Sequence, residues 1–145
     1  MRDSGGNNAT RFLLIAGYNT DIDKTCDDRF QMPMDTIEDH LMVSVHYYTP
    51  STYCIVSDPY NQWGYDDTWG TESDIAAMKA QLANMKINFT DKGIPVVIGE
   101  YGVTDKFVGD YVRKDGRDIF FKTLCTYAIS NGMCPMLWNT DNVYD

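Results

Sequence analysis

The run Pro95-Val96-Val97-Ile98-Gly99-Glu100-Tyr101-Gly102 constrains the fold more than any other eight residues of the chain. Three β-branched residues in succession suit a strand covered on both faces, as in a parallel sheet. Gly99 and Gly102 bracket Glu100, so backbone or ligand can come close to it. A carboxylate at the tip of a buried strand is costly unless something there uses its charge.

Other segments repeat the pattern. Arg11–Gly17 is an apolar run of strand length, and Leu41–Tyr48 is a second, ended by Thr49-Pro50. Met133–Asn139 is a fourth strand after the one that carries Glu100. Ile75, Met78, Leu82, Met85 and Phe89 fall on one helical face. That helix opens at Thr71, where Asp74 three residues on makes a capping-box variant, and it stops at Gly93 before Pro95. A second helix is expected over 117–130, with Phe120, Leu124, Tyr127 and Ala128 inward and Gly132 at its end. Residues 18–40 are polar and turn-rich, with a short helix expected near Asp35–Asp39. Met1–Ser4 followed by Gly5-Gly6 looks like the tail of a helix and its stop, which suggests truncation. The long segment from 49 to 71 is expected as a loop, too rich in Tyr and Trp for disorder.

Strands alternating with helices argue a parallel α/β sheet. All four strands then run the same way. The polar residues at their C-terminal ends (His46 and Tyr48, Glu100, Trp138 and Asn139) share one rim, where α/β folds build their sites.

At 145 residues the chain has room for one core, and its hydrophobic share of 43% is that of a globular protein. A net charge of −9 repels phosphate backbones, which argues against a nucleic-acid partner. No apolar run is long enough to predict a membrane span. Cys26, Cys54, Cys125 and Cys134 show no C-x-x-C spacing, which argues against a metal site; three disulfide pairings are conceivable, and buried free thiols are expected. No cofactor is indicated.

Taken together, His46-Tyr47-Tyr48, Glu100-Tyr101-Gly102 and Trp138 resemble glycoside hydrolase family 5, the cellulase-type retaining (β/α)8 barrels. That family ends its sixth strand in His-x-Tyr, its seventh in Glu within Glu-x-Gly, and its eighth in Trp. Gly5–Phe12 and Val43–His46 look like its endoglucanase branch with xyloglucan-active members. The resemblance implies an α/β half-barrel, strands five to eight of a TIM (β/α)8 barrel, formed by residues 1–145 as a single segment. It makes Glu100 the catalytic nucleophile, with Tyr48 holding it oriented and ionised and His46 ordering the acid side. Trp138 would stack on the sugar, with Asn139 beside it. Trp63 and Trp69 of the long loop would extend that platform. The implied activity is a retaining endo-β-1,4-glucanase acting on a β-glucan polysaccharide or oligosaccharide, extracellular in the parent enzyme.

The family's acid/base Glu follows Asn on strand four, and no Asn-Glu pair occurs in this chain. Retaining hydrolysis needs two carboxyl groups about 5–5.5 Å apart, so the chain alone is expected to be nearly inactive. A (β/α)8 barrel usually takes about 250 residues, so the half-barrel is expected to close by homo-oligomerisation or against a complementary N-terminal half. Two other readings stay open: a glucan-binding module that cuts nothing, and an oligomerising fragment with neither property.

Overall fold

The β-branched runs pair side by side in the order in which they occur in the chain. The computed structural model describes residues 1–105 and 112–138. Its sheet runs β1 (Leu13–Asp21), β2 (Leu41–Tyr47), β3 (Val96–Tyr101) and β4 (Met133–Leu137), with every neighbouring pair parallel. The helices are α1 (Ile22–Thr25), α2 (Ser51–Cys54), α3 (Glu72–Asn88) and α4 (Arg117–Ser130).

The expected signals start and stop the long helices. The Thr71 hydroxyl accepts from the Asp74 N–H at 3.2 Å, and the Asp74 carboxylate accepts from the Thr71 N–H at 2.9 Å, a complete capping box for α3. Met78, Leu82 and Met85 form its buried face. A short 3-10 turn, Thr90–Lys92, ends on Gly93 in the left-handed region. On α4, Phe120, Leu124 and Ala128 point inward. The core lies between these two helices and one face of the sheet, formed by Val43, Val45, Tyr47, Val96, Ile98 and Tyr101. Among the described residues the opposite face has no such cover: Leu14 and Met136 each stand 50% exposed.

Three local expectations are corrected. No helix forms at Asp35–Asp39, where Asp35 instead pairs with Arg2. The helix of that region is α1, because Asp21 is extended and its carboxylate accepts from the Lys24 N–H at 2.8 Å. The chain's first residues form two 3-10 turns, Arg2–Ser4 and Gly6–Ala9, rather than the tail of an α-helix. The long segment after β2 contains one helical turn, α2.

Candidate active site

The strand that carries Glu100 holds one residue more than either neighbour. Val45 pairs with Ile98, but the next residue of β2, His46, pairs with Glu100. On the other side, Ile98 pairs with Pro135 and Tyr101 with Leu137, so three steps on β3 match two on β4. This is a β-bulge at Gly99. Strict alternation would put Glu100 on the face of Val96 and Ile98, under the helices. The extra residue reverses the alternation. Glu100 therefore turns to the open face, and Tyr101 turns under α4, where it meets Phe121 edge-on at 5.9 Å. Gly99 suits the bulge because a Cβ there would press within 3.2 Å of Ser44 Oγ and 3.7 Å of the His46 ring.

Tyr48 and His46 meet Glu100 on that open face. The Tyr48 hydroxyl donates to Glu100 Oε2 at 3.1 Å. His46 Nδ1 lies 3.4 Å from the same oxygen. The two side chains are 30% and 26% exposed for His46 and Glu100, so the carboxylate is neither packed into hydrocarbon nor loose in water. A carboxylate that accepts a phenol and sits beside an imidazole is held in one orientation. Trp138 follows β4 at this level: its N–H donates to the Tyr101 carbonyl at 3.0 Å, and the residue is half-exposed.

The other predicted residues fare differently. Trp69 packs inward instead. It is buried, edge-on to Phe120 at 5.0 Å and 6.5 Å from Tyr53. Its backbone is drawn inward because its N–H donates to Asp115 O and its own carbonyl lies against Gly116. A Cβ at Gly116 would fall 1.6 Å from that carbonyl, and φ there is +78°, so only glycine permits the approach. Trp63 is 77% exposed, and its N–H donates to Asn61 Oδ1 at 2.9 Å. Asn139 lies outside the described residues.

A model of the cellulase family (glycosyl hydrolase family 5) matches residues 1–143. The chain belongs to glycosyl hydrolase family 5. It is 29% identical to a xyloglucan-specific endo-beta-1,4-glucanase of Bacteroides ovatus over its whole length, covering 31% of that protein. It is 31% identical to endoglucanase A of Paenibacillus barcinonensis, with 96% of this chain and 38% of that one covered. Among solved structures, a broad-specificity endoglucanase from an uncultured bovine rumen ciliate superposes with a TM-score of 0.80 at 34% identity, over 99% of this chain and 43% of that one. The family 5 chain thus spans about a third of the length of these curated relatives, and its sheet is part of a family 5 (β/α)8 barrel.

Sequence reasoning missed what holds the rim loops of this family 5 chain. Lys114 is buried, and its ammonium donates to the carbonyls of Tyr53 and Val56, both at 2.6 Å. Its Nζ also lies 4.7 Å from the Tyr65 ring centroid. Burial lowers its pKa from the usual lysine range. Beside it, buried Arg117 pairs with buried Asp105, which also accepts from the Lys114 N–H at 3.4 Å. These contacts tie the segment after β3 to the segment after β2. A lysine in Lys-Asp-Gly-Arg reads as a solvated turn, so no sequence signal marks it. The four cysteines are free thiols. Among the described residues, no cluster of His, Cys, Asp or Glu could hold a metal ion, and no helix is long and apolar enough to cross a membrane.

Proposed function

We propose that this chain supplies the nucleophile side of a retaining endo-β-1,4-glucanase site for cellulose-like or xyloglucan-like chains. The observation that carries the reading is the Glu100 carboxylate, about a quarter exposed on the open sheet face with Tyr48 and His46 both on Oε2. Relatives named as endoglucanases and a xyloglucanase support the substrate class. A related lichenase solved with cellotetraose (TM-score 0.81, 28% identity, 95% of this chain and 36% of that one) supports it too.

In this reading a Glu100 oxygen attacks the anomeric carbon as the glycosidic C–O bond breaks, leaving a glycosyl ester. A second carboxyl protonates the departing oxygen, then takes a proton from water, which attacks the same carbon and frees Glu100. The Tyr48 hydroxyl keeps the carboxylate aimed, and Trp138 offers its ring to the adjacent sugar. The second carboxyl comes from outside these 145 residues. The same reading has residues 1–145 act as one half-barrel unit, its open face closed by a complementary half or by a second copy, in a parent enzyme that works outside the cell.

A substrate whose leaving group needs no proton tests the nucleophile by itself. Incubation with a dinitrophenyl fluoro-cellobioside should add one fluoro-cellobiosyl group to the chain, located by mass spectrometry on the peptide that holds Glu100. Glu100→Gln should show no adduct. Equal labelling of the variant, or none of the folded parent, overturns the assignment. Retarded migration in a glucan gel without an adduct would instead favour a binding module.

A further inference from the structure

Residues 46 to 48 alternate across the sheet. His46 and Tyr48 turn toward Glu100, and Tyr47 between them turns under the helices. The two groups that hold the carboxylate therefore share one backbone anchor, and its side chain is Tyr47.

That anchor is pinned by a polar chain at the edge of the core. The buried Tyr47 hydroxyl donates to Gln81 Oε1 at 2.7 Å. Gln81 Nε2, from the same amide, donates to Asp23 Oδ2 at 2.8 Å. An amide that donates to a carboxylate is a better acceptor at its own oxygen, so the two bonds reinforce each other. Burial also raises the Tyr47 pKa, which keeps the hydroxyl protonated as a donor.

The chain closes on itself. Asp23 belongs to α1, which Asp21 caps. Asp21 is in turn the β1 register partner of His46. Starting at His46, the path runs to Tyr47 along the backbone, to Gln81 on α3, to Asp23 on α1, back along the chain to Asp21 and across the sheet to His46. His46 is thus located from two sides, and the one member contributed by a different long helix is Gln81.

We propose that Gln81 is a positioning residue for the Glu100 site, acting through Tyr47 and Asp23 to fix where His46 and Tyr48 stand relative to the carboxylate. A residue that merely satisfied a buried hydroxyl would affect folding alone. The labelling part of the test rests on the nucleophile reading of Glu100; the spectroscopic part does not.

Tyr47→Phe keeps the ring and removes the donor. Gln81→Met keeps the length and removes both bonds. Each variant, and the double variant, is compared with the parent at a temperature where far-ultraviolet circular dichroism shows all to be folded. The fluoro-cellobioside labelling rate at saturation should fall about three- to tenfold, the span that one neutral hydrogen bond sets. The half-saturating concentration should not change. The double variant should be no slower than the slower single, because both cut one path. The chain has two histidines. His40 stacks on Phe12 away from the site, so His40→Gln assigns the His46 proton resonance. That resonance should move in all three variants. It should also move, by less, in Asp23→Ala, where an exposed side chain is trimmed without touching the core. Folded variants with the parent's labelling rate and an unmoved His46 resonance overturn the proposal. If the parent itself takes no label, the nucleophile reading fails, and the His46 resonance alone decides the positioning role.

Discussion

The two faces of this sheet are made by the same strands and do opposite work. Under α3 and α4, Val43, Val45, Val96 and Ile98 are sealed from water. On the other face, Leu14 and Met136 stand half in solvent, and the polar pair His46 and Glu100 sits among them. The helix-covered face supplies the apolar burial that drives folding. The open face is where charge can be held, because water or a ligand can still reach it. Parallel sheets are ordinarily covered on both sides, and among the described residues this face, which carries the Glu100 carboxylate, is the less covered of the two.

That contrast can be broken by mutation. The largest effect should come from Phe120→Ala, since the Phe120 ring meets those of Tyr47, Tyr53, Trp69 and Phe121. It should cost about 4 kcal/mol in denaturant unfolding. Next is Arg117→Met, which takes away the guanidinium paired with the buried Asp105 carboxylate and should cost about 3 kcal/mol. Adding Asp105→Leu should recover much of that loss, because the buried carboxylate then goes together with its counter-charge.

Thr71→Ala, on the solvent side of α3, should cost about 1 kcal/mol. Its pH dependence sharpens the reading. The Asp74 carboxyl is held below the usual range, first by the Thr71 hydroxyl. A carboxyl depressed in the folded state stabilises fully above its unfolded pKa of about 3.9, and the gain is lost as pH falls through the lower folded value. The gap in melting temperature between Thr71→Ala and its parent should therefore narrow below about pH 4. The smallest effect is expected from Met136→Ala on the open face, within about 0.5 kcal/mol. A cost of about 2 kcal/mol or more, of the size seen for core truncations, would show that this face is covered in solution, and sedimentation velocity would then report the larger species.

Much of this architecture was legible in local pattern. The face of Met78, Leu82 and Met85 follows from 3.6-residue spacing, and the capping box at Thr71 formed as its residues suggested. Strand-end residues His46, Tyr48 and Glu100 meet because parallel strands of one sheet end on one rim. Trp69 was misread because exposure of a loop aromatic depends on what its backbone bonds to. Here that is Asp115, more than forty residues away. The α1 turn was missed because four residues are too short to show a period. Lys114 escaped for a similar reason: its partners are carbonyls of a distant segment, and carbonyls leave no mark in a sequence.

What the amino-acid order determined by itself was the kind of element at each place and the residue types at the strand ends, since both depend on neighbours within a few positions. What only the tertiary structure decided was which way Glu100 faces. Alternation along β3 would bury it beneath the helices. The bulge at Gly99 turns it out because register is set by the two flanking strands, and strand pairing is a relation between segments that no local window contains.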